Sequence, residues 1–260
     1  MSAAQQQSLR VIITGASSGI GAALARRYAA AGATLGLIAR RRPALEQLAA
    51  GLAAPHEIYP LDVRDGAAVA AAARAFIARH GCPDIVIASA GVSVGTAAGH
   101  AEDIAVFQEV LDTNVMGTVK TFHPFIGCMR SRGSGALVGI ASVAGYRGLP
   151  GAGAYSASKA AVISALESLR IELGGSGVKV ITICPGYIAT PMTENNPYPM
   201  PFLMSADEAA GKIAALIARG REFAVIPWQM AVIARLMRLL PDWLYDRLAA
   251  NTGRKPRRGN

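Results

Sequence analysis

The run Leu9–Thr14 is apolar at nearly every position, and six further stretches share its character: Thr34–Ala39, Glu57–Pro60, Asp84–Ala88, Ala136–Ala141, Val178–Cys184 and Glu222–Ile226. A strand with one wet face alternates apolar and polar residues, whereas a near-continuous apolar run is buried on both faces. Between these runs lie alanine-rich stretches of helical length: Gly21–Ala31, Ala44–Leu52, Ala67–His80, Ile104–Arg130 and Ala154–Leu173. Strand and helix in regular alternation predict an α/β fold, a Rossmann-like doubly wound parallel sheet with helices on both faces. Its ligands are expected at the carboxyl ends of the strands. With neither a linker nor a repeat in view, the expectation is one domain over residues 1–260. Within it we separate a cofactor-binding and catalytic core (9–190), a substrate lid loop (191–204) and a C-terminal helical extension (228–250).

Composition agrees with a buried α/β core, since 52% of the 260 residues are hydrophobic and 17% charged. The net charge of +9 raises the question of nucleic acid. The excess sits in Arg40-Arg41-Arg42, in Arg235, Arg238 and Arg247, and in Arg254, Lys255, Arg257 and Arg258. No aromatic-interleaved basic module accompanies it, so no nucleic-acid partner is expected and the basic tail reads as a solvated end. Cys82, Cys128 and Cys184 are widely spaced and odd in number, which argues against a disulfide framework or a metal site and favours a reducing, cytoplasmic compartment. Residues Met1 to Ser8 are polar, with no apolar leader among them.

The first strand runs directly into Thr14-Gly15-Ala16-Ser17-Ser18-Gly19-Ile20-Gly21, and a helix follows. Glycines let a backbone turn tightly and approach a pyrophosphate, whose charge the first helical amides receive. The second strand ends in Ala39-Arg40-Arg41-Arg42. A carboxylate there would hold the ribose hydroxyls of NAD, and guanidinium groups suit the extra phosphate of NADP. NADP(H) is therefore preferred over NAD(H), with Arg40 first and Arg41 second as its partners. A spacing of four places Tyr155 and Lys159 on one helix face. An isolated tyrosine is only about one part in a thousand ionised at neutral pH, and a neighbouring ammonium favours the phenolate. Such a phenol can give a proton to a carbonyl oxygen or take one from an alcohol. Ser142, closing the strand that ends Ile140-Ala141, can bond the same oxygen.

Together with Asp62-Val63, Ser89-Ala90-Gly91, Asn114 and Pro185-Gly186 through Thr190, these motifs make residues 9 to 227 resemble the short-chain dehydrogenase/reductase family. The resemblance implies a catalytic tetrad of Asn114, Ser142, Tyr155 and Lys159. In it Ser142 orients the substrate oxygen, Lys159 also binds the nicotinamide ribose, and Asn114 holds a water linking Lys159 to solvent. It further implies cofactor contacts from Gly15, Ser17, Ser18, Gly19, Ile20 and Gly21, from Val63, Ala90, Gly91, Pro185 and Gly186, from Asp62 at the adenine edge, and from Ile188 and Thr190 at the carboxamide. Ser89 stands where the family usually has asparagine, a shorter side chain able to satisfy fewer backbone groups.

The expected function is interconversion of a ketone or aldehyde with an alcohol, on a fairly apolar substrate, by direct hydride transfer with Tyr155 as general acid/base. The alternative is a cofactor-binding sensor or scaffold of the same fold without turnover. Prolines, methionines and aromatics from Pro191 to Met204 read as a mobile lid over the substrate. The tryptophans and arginines of 228–250 read first as packing, in a homodimer or homotetramer or over the cleft, and second as contact with a membrane surface.

Overall fold

The computed structural model describes residues 8–250 and 252–258, so the expectation for the polar stretch before Ser8 lies outside the described residues. All seven apolar runs form strands: β1 (Arg10–Thr14), β2 (Thr34–Ala39), β3 (His56–Pro60), β4 (Ile85–Ala88), β5 (Gly135–Ile140), β6 (Val178–Pro185) and, after a short β7 (Ile188–Ala189) and β8 (Met204–Ser205), β9 (Phe223–Ile226). The large sheet has the order β3-β2-β1-β4-β5-β6-β9 with every pair parallel.

Alternate residues of one strand serve opposite faces of the sheet. Val11 and Ile13 of β1, with Leu35 and Leu37 of β2, pack toward α1 (Gly19–Ala30), α2 (Arg42–Ala50) and α7 (Ala206–Ala218). Ile12 and Ile38, their neighbours in sequence, pack on the other side with Phe76 of α3 (Gly66–His80), Phe122 and Phe125 of α5 (Gly117–Arg132), and Val162 and Leu166 of α6 (Gly153–Glu172). The two-faced burial explains why the strands lack alternation.

The chain reverses its direction of travel across the sheet between β1 and β4, so the loops at their carboxyl ends diverge and open a crevice. Thr14 ties the two sides of that crevice, its hydroxyl accepting from the amides of Ser89 at 3.1 Å and Ala90 at 3.2 Å. The Thr14 hydroxyl thus holds the backbone at the Ser89 departure.

Three expectations are corrected here. The stretch Ile104–Arg130 is two helices, α4 (Asp103–Leu111) and α5, separated by a π-helical turn at Asp112–Met116. Such a turn inserts an extra residue, and its buried Asn114 bonds to neighbouring elements (below), which local periodicity cannot register. Cys82 and Cys128 are joined as a disulfide with Cα atoms 5.9 Å apart, because α5 packs back over the segment preceding β4. A sequence separation of 46 gave no hint of that pairing, and the argument for a reducing compartment loses its basis. The basic tail is not a solvated end, since Arg257 and Arg258 are both paired with acids of α4 or its cap. A further helix, α7, lies outside the alanine-rich stretches, and its amphipathic turns cover α1. No helix among the described residues is long and apolar enough to cross a membrane.

Candidate active site

A cleft of about 520 Å³ lies over the carboxyl ends of β1, β4, β5 and β6. Its floor is the glycine loop. Gly15 has φ +69°, and a Cβ there would stand 2.8 Å from the backbone of Ala90, so only glycine lets the two crevice walls approach. Ser18 precedes α1 without a side-chain cap, no acid occupies the first turn, and the first bond of the helix runs from Ala22 N to Ser18 O. The amides of Gly19, Ile20 and Gly21 consequently face the cleft as donors, a place suited to a phosphate.

One end of the cleft is charged and wet. Arg41 reaches Ser17, with Nη2 at 3.4 Å from Oγ and 3.5 Å from O. Arg40 is exposed, with Nη1 4.0 Å from the Asp62 carboxylate. Asp62 is bound more closely by Arg64, at 2.7 and 2.9 Å from side-chain nitrogens and 2.9 Å from its amide. Burial pushes the Asp62 carboxyl up, yet the Arg64 bonds outweigh it and hold the group below the usual carboxylate range. Val63, Ala90 and Gly91 line the adjoining wall. Thr113, which no sequence motif marks, joins them, and its buried hydroxyl has no hydrogen-bond partner among the described residues.

The other end is enclosed. Ser142, at the end of β5, is held by its own short 3₁₀ turn (Val143–Gly145), with Ala144 N donating to Oγ at 3.1 Å. Tyr155 and Lys159 stand one turn apart at the start of α6, and both line the cleft with Ser142. Lys159 Nζ is buried, 5.7 Å from the Tyr155 ring centre, and donates to Ile140 O at 2.8 Å. Burial lowers the Lys159 pKa to about 8. The Tyr155 phenol moves opposite to the expected direction. Burial pushes it up, and the interaction with Ser142 recovers only part. The ammonium, 5.7 Å from the ring centre, does not offset the loss of water around the phenol. Pro185, Gly186, Ile188 and Thr190 complete the wall toward the lid.

Asn114 alone of the proposed site residues does not line the cleft. It lies behind it, at the centre of the π-helical turn, with Oδ1 accepting from Val92 N at 2.8 Å and Nδ2 donating to Val92 O at 3.0 Å and to Ser158 Oγ at 2.9 Å. Those bonds fix the loop after β4 against α6, and they leave the amide no donor for a water. Ser158, which passes the contact on to Tyr155 O at 2.7 Å, went unremarked in the sequence because it is one of the unspecified positions between Tyr155 and Lys159.

The stretch 191–204 is fastened near its two ends. Ile188 and Ala189 pair with Met204 and Ser205, and Thr193 Oγ1 donates to Ile188 O at 2.6 Å while accepting from Thr190 N at 3.1 Å.

A cleft with a glycine floor, free helical amides and an unpartnered Thr113 hydroxyl fits a phosphate-bearing dinucleotide. Comparison with known proteins agrees. The family model described as short chain dehydrogenase matches residues 10–199. An uncharacterized oxidoreductase from Myxococcus xanthus (strain DK1622) is 40% identical over 243 residues, covering 92% of this chain and 95% of that protein. A 2-dehydro-3-deoxy-L-rhamnonate dehydrogenase (NAD(+)) from Sphingomonas sp. (strain SKA58) is 39% identical over 186 residues, 72% of this chain and 74% of the other. The crystal structure of a short chain dehydrogenase from Burkholderia cenocepacia J2315 in complex with NADP superposes with a TM-score of 0.79 at 26% identity, covering 93% of this chain and 97% of that one. The chain therefore belongs to the short chain dehydrogenase family and is an NAD(P)-dependent oxidoreductase of alcohol and carbonyl groups.

Proposed function

We propose that the protein is an NADP(H)-preferring enzyme that interconverts a ketone or aldehyde with an alcohol on a fairly apolar substrate. The observation that carries the reading is the convergence of Ser142, Tyr155 and Lys159 at one end of a cleft whose other end presents Arg40, Arg41 and Ser17. The bound nicotinamide supplies or accepts the hydride. In reduction Ser142 and Tyr155 bond the substrate oxygen, and Tyr155 gives it a proton as the carbon receives hydride. In oxidation the phenolate takes that proton back. Lys159, anchored on Ile140 O, places positive charge beneath the phenol. Asn114 positions the two walls through Val92 and Ser158. The glycine loop, Asp62, Val63, Ala90, Gly91, Pro185, Gly186, Ile188 and Thr190 hold the dinucleotide.

The preference for NADP(H) rests on Arg40 and Arg41, and on the absence of an acid where the second strand ends. The apolar substrate rests on the composition of residues 191–204, of which Met192 lines the cleft while Phe202 and Leu203 are exposed. Titration of NADPH and NADH, followed by a panel of carbonyls of graded size and polarity, tests both. Tighter NADH binding overturns the first statement, and preferential turnover of small polar carbonyls overturns the second.

A homodimer or homotetramer is supported by the exposed apolar side chains Ile104, Phe107, Met116 and Val119 on α4 and α5 and the turn between them. The helices α8 (Trp228–Leu239) and α9 (Asp242–Ala249) pack near the substrate end, where Met230 lies against Gly186 and Tyr245 donates to Gly148 O at 2.6 Å. Their outer stripe of Trp228, Val232, Leu236, Leu239 and Trp243 is open. We assign it to packing between copies. Light scattering checks the assembly, and flotation with anionic vesicles would reveal a membrane contact instead.

A further inference from the structure

Residues 252–258 run back across the mouth of the cleft, beyond the 10–199 span of the family match. Their backbone lies flush against Gly95, whose amide donates to Pro256 O at 3.0 Å. A Cβ on Gly95 would stand 2.2 Å from the Lys255 carbonyl oxygen, so this fit requires glycine. On its other side the segment meets the lid, where a Cβ on Gly253 would come within 2.7 Å of Tyr198. Arg257 fastens the arrangement. Its guanidinium grips Asp103 at 2.7 and 3.2 Å and Glu102 at 2.8 Å, and Asp103 is buried and bound again by the Ala97 amide at 2.7 Å. Pulling such a fork away leaves a buried carboxylate short of its partner, which opposes casual opening.

The fastening brings two further cations to the cleft. Lys255 Nζ bonds Ser93 Oγ at 2.9 Å and Met192 O at 3.1 Å, and these two residues belong to opposite lips, the loop after β4 and the lid. No carboxylate pairs with Lys255 among the described residues, and burial lowers its pKa. Arg258 lines the cleft at the Arg40 end, with Nη1 2.9 Å from Glu109. An ammonium partly removed from water between two neutral oxygens lacks a counter-charge, and an anion lying in the cleft would supply one.

We propose that residues 252–258 form a strap over the dinucleotide site, in which Lys255 and Arg258 bind the phosphate-bearing backbone of the cofactor and the Arg257–Asp103 fork holds the strap shut. Cofactor exchange then requires the strap to lift. The proposal rests on the dinucleotide reading of the cleft. Stopped-flow fluorescence of NADPH, with release triggered by excess NADP⁺ and no substrate present, tests it. Losses of this kind fall mainly on dissociation, so Arg257→Gln, and separately a chain ending at Ala250, should release NADPH about tenfold faster. Lys255→Met should do the same in smaller measure. Arg254→Gln removes one charge from the same segment, at a side chain whose stem lies against Gly151, and should release at the parental rate. Trypsin cleavage after Arg254 should slow when NADPH is added to the parent. Circular dichroism verifies that each variant folds, and Arg257→Gln alone decides the matter if the shortened chain does not. Equal release from parent and Arg257→Gln would overturn the strap while leaving the dinucleotide site intact. Equal acceleration by Arg254→Gln would reduce the effect to net charge and overturn it too. An unchanged Lys255→Met would transfer that residue from the cofactor to a substrate anion, refuting its assignment. A parent that binds neither nicotinamide cofactor would instead sink the functional reading beneath it.

Discussion

The two ends of the cleft are built on different physical terms. At the Arg40 end, charged side chains face one another at the protein surface: Arg40, Arg64, Asp62 and Arg258 on loops and Glu109 on α4 offset one another's charge. Exposed pairs of this kind contribute about 0 to 1 kcal/mol each, so any one can be exchanged with limited harm to the fold. At the Tyr155 end, Ser142, Lys159 and Asn114 are buried and bonded chiefly to backbone atoms of β5, its following turn and the loop after β4. There the protein has displaced water, and the pKa values move as a result. Cofactor choice thus sits on replaceable surface chemistry, whereas proton transfer sits in the part of the molecule least able to change.

That contrast is sharpest in its largest expected effect. Tyr155→Phe removes only the hydroxyl and should lower turnover by about 10² to 10⁴-fold while NADPH binding persists. Retention of parental turnover would break the assignment of the enclosed end as the proton-handling one.

Lys159→Met separates chemistry from stability. Turnover should fall by about 10²-fold or more, because the charge beneath the phenol is gone. The melting temperature at pH 7 should not fall with it, since burying the ammonium is itself unfavourable. The sign follows from its depressed pKa of about 8: between that pH and the ordinary lysine range the unfolded chain binds more protons than the folded one. The stability of the parent relative to Lys159→Met should therefore rise as pH increases through this window. Thermal melts at pH 7 and pH 10 measure it, and a parent that weakens relative to the variant would contradict the buried-ammonium account.

At the open end, Arg40→Ala should weaken NADPH about 10- to 100-fold, the worth of a charge-assisted contact to phosphate, and leave NADH nearly unchanged. Equal losses for both cofactors would place Arg40 outside the specificity pocket. The smallest effect is expected away from either end. Cys82→Ser should lower the melting temperature by several degrees without altering turnover, since the 46-residue closure acts on the unfolded chain. A thiol titration under denaturing, non-reducing conditions should then find one free thiol in the parent, Cys184, and two in the variant.

Much of the cleft was legible because its parts are local. A glycine loop between strand and helix, arginines at a strand end and a four-residue Tyr–Lys spacing each act over a single turn or strand end, and adjacent residues encode them. Asn114 was legible as a position, but its bonds were not. Its partners Val92 and Ser158 lie 22 and 44 residues away, and only their approach shows that both amide hydrogens tie the loop after β4 to α6. The direction of the Tyr155 shift was misjudged for a related reason. Spacing places Lys159 near the phenol, while the desolvation that outweighs it depends on everything packed around both.

The sequence by itself determined the parallel sheet and the identity of its seven strands, because burial on two faces writes itself into every strand. Tertiary structure alone decided the Cys82–Cys128 bond, the π-helical turn at Asn114 and the course of residues 252–258. Each depends on segments far apart in the chain meeting at one place, and the energy of such a meeting, whether the Arg257 fork on buried Asp103 or the backbone laid on Gly95, has no counterpart in local pattern.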